Sequence, residues 1–295
     1  MNSKVGIIRL FAEKAGFDDS EVDILCCEAE KISDDGFINC QKLSEKYKNN
    51  KYFDIEAFEN TVSKVKSSGV SIYTLRLLLF IILAPELQNK YRAAGIEDKI
   101  FYNTIFDLKI KSDSCKEQYG VLGNDCPEWE TEIFNLKIFG LGRLDFALRK
   151  ADFSVDGKID YGDSLINVHI PAFGPLLKDE CEKSYRLAAD FFKRYFGIKK
   201  TVFFCSSWLL YPELKNMLAP TSNILKFSSD YIIISQREDI SNENLWRIFG
   251  VSSMPKDPDL LPCGTSLQKE YIRHFKSGGH IGIGVGVYFF GLQYE

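Results

Sequence analysis

Residues 167–192, NVHIPAFGPLLKDECEKSYRLAADFF, and residues 203–224, FFCSSWLLYPELKNMLAPTSNI, decide how this 295-residue chain is read. Ile166, Val168 and Ile170 alternate with Asn167 and His169, the period of a strand with one buried face. Pro171 to Pro175 makes a turn. Leu177, Cys181, Tyr185, Ala188 and Phe192 then fall on one side of a helix. Residues 202–210 are almost continuously apolar, as in an interior strand covered on both faces, and Pro212 opens a second short helix. A strand that meets a helix across a tight turn can hold a phosphate on the helix's free N–H groups. Gly174 would let such a ligand approach the backbone.

Outward from this stretch the chain divides by pattern. Residues 1–128 read as helical, with Asp18 and Glu21 spaced as a capping box ahead of Val22, Leu25, Cys26 and Ala29. Residues 71–94 are rich in Leu and Ile, and Pro85 is expected to break the helix there. The loop VLGNDCP ends at Pro127, and a second domain is expected over residues 129–295. In it Leu144, Phe146 and Leu148 alternate with Asp145, Ala147 and Arg149 as a half-buried strand, and Asp156-Gly157 reads as a hairpin turn. Residues 224–234 read as a strand with a break near residues 228–230. Thr265 and Gln268 form a capping box for a later helix. In the final strand Gly282, Gly284 and Gly286 share one face, which marks the close approach of a packed segment or of a ligand. Helices followed by strands that alternate with helices imply a mixed α/β (α+β) fold.

The bulk composition narrows the function. The net charge of −4 argues against a nucleic-acid binder, which would present a basic face. The longest apolar run, residues 77–84, is shorter than a bilayer requires, so no membrane partner is expected. Eight cysteines without a CxxC pair or a histidine at zinc spacing fit reduced thiols in a cytoplasmic protein and no metal site.

The chemical candidates each carry two readings. His169, one of three histidines, is either a general base near neutral pH or a ring satisfied by its neighbours at a strand end. Cys205 and Ser206 suggest a nucleophile, but the GxSxG elbow of hydrolases is missing and small polar residues also simply pack. Tyr211 is a proton donor or an interface residue. Trp208 with Leu209 and Leu210 reads as core.

The run HIPxxGPL, then CxxSxxxAxxFF, FFCxSWLLxPEL and LAPTSNILKF, with LGRLDF upstream and TSLQ downstream, resembles a bacterial acyltransferase family. Its members pair a helical N-acyltransferase N-terminal domain with a GNAT-like C-terminal domain. The resemblance spans residues 141–290. It implies that two parallel central strands splay apart and that acyl-CoA or acetyl-CoA, as cosubstrate, lies in the opening. On this chain Ile170, Pro171, Ala172, Phe173, Gly174 and Leu176 would then form the strand end and diphosphate turn, and residues 205–210 with Trp208 the second wall. His169 would take the amine proton, and Tyr211 or Ser206 would serve the departing thiolate. The turn departs from the acetyltransferase pattern, because Pro175 has no N–H to offer a phosphate. The implied function is direct acyl transfer from a small-molecule donor, an acyl-CoA, or from an acyl-carrier thioester, to an unidentified amine acceptor. The alternative is a non-catalytic module that binds an acyl thioester or a protein in the same cleft.

Overall fold

The computed structural model describes residues 4–65, 69–155 and 157–291. The chain forms two compact units. One holds residues 1–141 with Pro171–Phe173, and the other Gly142–Ile170 with the rest of the chain. The division therefore falls after Leu141, with the eighth helix and the first strand on the helical side.

The first unit runs α1 (Lys4–Lys14), α2 (Asp19–Glu30), α3 (Asp34–Asn49), α4 (Ile55–Lys64), α5 (Ile72–Ala93), α6 (Asp98–Ile105), α7 (Asp107–Tyr119), α8 (Pro127–Phe134) and β1 (Ile138–Leu141). The Asp18–Glu21 capping box forms in both directions. Ser33, Asp54 and Ser71 also cap their helices through side-chain oxygens that accept first-turn N–H groups. Helix α5 continues through Pro85 rather than breaking at it. Proline costs a helix about 3 kcal/mol, but Leu77 to Ala84 and then Leu87, Gln88 and Tyr91 are all buried, and that packing outweighs the lost hydrogen bond. By composition α5 is apolar enough to cross a bilayer, yet 67% of its apolar window is buried within the protein. Phe58 and Phe80 stack there with ring centroids 4.2 Å apart, beside Phe53 and Phe134.

Two carboxyls are buried in this helical unit. Asp107 opens α7 and Glu130 lies in α8; Asn124 donates its amide N–H to Glu130 Oε1 at 3.0 Å. Burial pushes both carboxyls up, and the nearby Asp107 charge drives Glu130 further, which favours a proton shared between them. A carboxyl whose folded value is raised binds more protons folded than unfolded. Its contribution is therefore complete below the unfolded value and is lost as pH rises through the folded one. Glu130→Gln keeps the acceptor for Asn124 and gives Asp107 a permanent donor. We expect it to stabilise the protein by about 1–3 kcal/mol once the pH is above the ordinary carboxylate range and to flatten the decline of stability as the pH rises from there. Urea unfolding over that rise in pH checks this; an unchanged or steeper decline would reject the shared proton.

The second unit contributes β2 (Leu144–Lys150), β3 (Ser164–His169), β4 (Val202–Ser207), β5 (Ile232–Glu238) and β6 (Gly282–Phe289), in the order β2-β3-β4-β6-β5. All contacts between neighbours are antiparallel except β3 with β4, which is parallel. The parallel crossover is α9 (Lys178–Phe196), whose Tyr185 packs on Phe146 and Phe203. The opposite face of the sheet carries a second cluster of Leu165, Val202, Phe204, Val287 and Phe289. Four short or medium helices follow: α10 (Leu214–Met217), α11 (Asn223–Ser228), α12 (Leu245–Phe249) and α13 (Ser266–Lys276). The α13 capping box of Thr265 and Gln268 is present.

Two expectations change here, and a third lies outside the described residues. The strand expected over residues 202–210 ends at Ser207, and Trp208–Leu210 is a single 3₁₀ turn whose start is fixed by Ser207 Oγ accepting the Leu209 N–H. The strand expected from Ile224 begins at Ile232 instead. Ser222 accepts the Ile224 N–H as an N-cap, which commits residues 223–228 to helix. The Asp156-Gly157 turn includes Asp156, outside the described residues, although Val155 and Ile159 do bridge in antiparallel fashion.

Candidate functional site

The pairing of the two parallel strands stops short of their C-terminal ends. Only Ile166–Phe203 and Asn167–Phe204 pair β3 with β4. Beyond them β3 continues through Val168 and His169, and β4 through Cys205, Ser206 and Ser207. Each strand keeps its outer partner over this stretch: His169 stays opposite Asp145 of β2, and Ser207 stays opposite Gly284 of β6. The ladder between the two central strands thus ends before either strand does, while each strand is held from outside.

Register decides which side chains meet there. Paired residues share a face and alternate along each strand. Asn167 and Phe204 share one face, so His169 and Ser206, each two residues further on, lie on that same face beyond the last ladder pair. Ser206 is exposed and His169 half-buried. Asn167 Nδ2 lies 3.0 Å from His169 Nε2, so the amide donates and the ring nitrogen accepts. Sequence reasoning thus chose two residues that the sheet brings to one end and one face.

Tyr211 and Trp208 have other surroundings. Tyr211 is 7% exposed, within a cluster that includes Leu214, Leu245, Tyr271 and Ile281, and Trp208 packs against that cluster. A Cβ on Gly282 would come within 2.2 Å of the Tyr211 ring, and one on Gly284 within 2.1 Å of the Leu210 carbonyl oxygen. The glycine stripe of β6 is therefore room for Leu210 and Tyr211, not a ligand surface. Cys205 is 1% exposed and burial pushes its thiol up to about 12, so it carries no thiolate for a hydrolase mechanism.

The turn after β3 is built differently from a phosphate loop. Arg143, 9% exposed, donates from Nε to the Pro175 carbonyl and from Nη2 to the Gly174 carbonyl, both at 3.2 Å. Its backbone N–H donates to Ser184 Oγ of α9 at 2.7 Å, which ties the head of β2 to the helix. Burial lowers the guanidinium from its usual value, while the Asp145 charge opposes that shift. Gly174 holds φ +54 and, with Pro175, is exposed; Leu176 is buried and Ile170 half-buried. Pro171, Ala172 and Phe173 group with the helical unit, where Phe173 meets Phe106 edge-on at 5.3 Å. The first-turn N–H groups of α9 have no side-chain cap, and Lys178 is ion-paired with Asp230.

Sequence reasoning read Arg143 and Asp145 only as part of a strand motif. The LGRLDF alternation was the available signal, but the significance of Asp145 depends on the register that sets it opposite His169. No cluster of three or more metal-binding side chains occurs among the described residues.

Residues 138–288 match the family model of the GNAT-like C-terminal domain, and residues 12–136 that of the N-acyltransferase N-terminal domain. The chain is similar to a solved acyltransferase in complex with decanoyl-CoA and teicoplanin, at 22% identity and a TM-score of 0.75, covering 95% of this chain and 87% of that one. An acyltransferase structure with CoA and 10C-teicoplanin gives a TM-score of 0.74 at the same identity and coverage. One with decanoyl-CoA gives 0.72, again at 22%, covering 95% of this chain and 86% of the other. No curated protein matches the chain. These likenesses establish the fold, and they agree with the resemblance and the fold class read from the sequence.

Proposed function

We propose that this chain, which belongs to the family of the GNAT-like C-terminal domain, transfers an acyl group from an acyl-CoA to an amine in the opening between β3 and β4. The observation that carries the reading is that the β3–β4 ladder ends at Asn167–Phe204 while both strands continue, with His169 and Ser206 on one face of the sheet just beyond it. The solved relatives hold decanoyl-CoA, CoA and teicoplanin, which supports an acyl-CoA donor and leaves the acceptor here at the level of an amine.

In this reading His169 Nε2 exchanges its Asn167 partner for the incoming amine. The amine nitrogen attacks the thioester carbonyl, its proton passes to Nε2, and the C–N bond forms. Backbone N–H groups of β3 or β4 beyond the last ladder pair would stabilise the oxyanion. The C–S bond then breaks, and the Ser206 hydroxyl donates a hydrogen bond to the leaving sulfur. Tyr211, packed against Gly282, is less well placed for that role. The turn offers a diphosphate little, because Pro175 has no N–H and Arg143 directs its guanidinium at the Gly174 and Pro175 carbonyls; the uncapped N–H groups of α9 are the donors it would meet.

Thermal unfolding with CoA and a series of acyl-CoAs tests the donor. At 100 times Kd a ligand stabilises by about 2.7 kcal/mol, so a rise of several degrees is expected. Release of free thiol should then require an added amine. Stabilisation without release would favour the non-catalytic binding module, and no stabilisation by any CoA species would remove both thioester readings.

A further inference from the structure

We propose that Asp145 is the positioning residue for His169, an inference that rests on the acyl-transfer reading above. Asp145 stands directly opposite His169 in the antiparallel ladder of β2 and β3. Such partners share a face and bring their Cβ atoms to about 4.5–5.5 Å. Their placement is therefore set by two paired strands and not by a mobile loop.

The hydrogen bond from Asn167 identifies the nitrogen that needs support. An amide N–H directed at Nε2 makes that atom an acceptor, so the neutral ring carries its proton on Nδ1. Asp145 is the carboxylate on the same face that can accept that proton. The pairing keeps Nε2 basic and aims it at the opening. When Nε2 takes the amine proton, the carboxylate stabilises the imidazolium, and the Nδ1 proton stays on the ring.

The surrounding charges agree with this role. Asp145 is 7% exposed, and a carboxylate so buried requires cationic or donor partners. Arg143 supplies one positive charge from the head of the same strand while its guanidinium holds the turn carbonyls. On the face of the sheet that carries His169 lie Asp145 from β2, Asn167 from its own strand and neutral Ser206 from β4. Arg149 lies further along β2, with its guanidinium 3.8 Å from the Phe204 ring centroid. Asp145 is thus the carboxylate that the β2–β3 register sets against His169.

Asp145→Asn tests the assignment. It should lower kcat by about 10²-fold, leave the KM for acyl-CoA unchanged, and move the acidic limb of the pH–rate profile to lower pH. Independently of turnover, the ¹⁵N titration of the His169 ring should move to lower pH in the same variant; only two other histidines need to be distinguished. The wild type should also show a slowly exchanging, downfield Nδ1–H proton, a measurement that needs no variant to fold. An unchanged titration in Asp145→Asn, or an absent Nδ1–H signal, overturns the pairing. If His169→Gln leaves acyl transfer intact while the titration still responds to Asp145, the general-base reading fails and the pairing stands.

Discussion

Replacing His169 with alanine is expected to lower the rate of acyl transfer by about 10²–10⁴-fold, the range supplied by a positioned general base. Acyl-CoA binding should change little, because the ring is half-buried at a strand end and donates nothing to the diphosphate turn in this reading. Steady-state thiol release together with a thermal-shift titration separates the two quantities. Turnover within threefold of wild type would remove His169 from the mechanism. Loss of binding along with turnover would instead give it a structural role. The first outcome leaves the cleft open to an acceptor that arrives already deprotonated, which a rate that climbs continuously with pH would reveal.

Gly284→Ala is expected to have the largest effect on stability. The added Cβ would lie 2.1 Å from the Leu210 carbonyl oxygen and 2.5 Å from its carbonyl carbon, and neither is the movable end of a side chain. Overpacking of this kind costs about 3 kcal/mol, read as a fall in the urea midpoint. Since Leu210 closes the turn that follows β4, its displacement should also weaken acyl-CoA binding. Gly264→Ala is the control. Its Cβ would meet only the Gln268 Oε1 at 3.7 Å, so stability should stay within about 0.5 kcal/mol of wild type. Equal stability of the two variants would contradict the packing account of the β6 glycines.

Much of the fold was readable because its signals are local. Alternation at Leu144–Leu148 and at Ile166–Ile170, the helical stripe from Cys181 to Phe192, and the capping boxes at Asp18 and Thr265 each need only a few neighbouring residues. The misreadings arose where distant packing or a single cap overruled a run of apolar residues. Pro85 stays within α5 because buried side chains flank it on both sides. Ile224 joins a helix because Ser222 caps it.

The site was readable only in part, for the same reason. His169 and Ser206 stood out as polar residues at the ends of apolar strands, and their shared face follows from a parallel register that alternation alone does not fix. Tyr211 was attractive for its position after β4. Its environment is set by Gly282, some seventy residues later, whose missing side chain makes room for the ring. Arg143 and Asp145 were visible within LGRLDF, but their partners, the turn carbonyls and the histidine, belong to segments more than twenty residues away. Pro175 posed a difficulty for a phosphate turn in the sequence; with Arg143 holding its carbonyl, it belongs to a braced corner.

The central claim is that an acyl-CoA enters the gap where β3 and β4 part. Backbone hydrogen exchange with and without saturating decanoyl-CoA measures this directly. The account predicts slower exchange at residues 168–170 and 206–208, on the two edges of the opening, with little change along the outer strand β5. Protection confined to other parts of the chain, or none at a concentration that stabilises the protein, would contradict it.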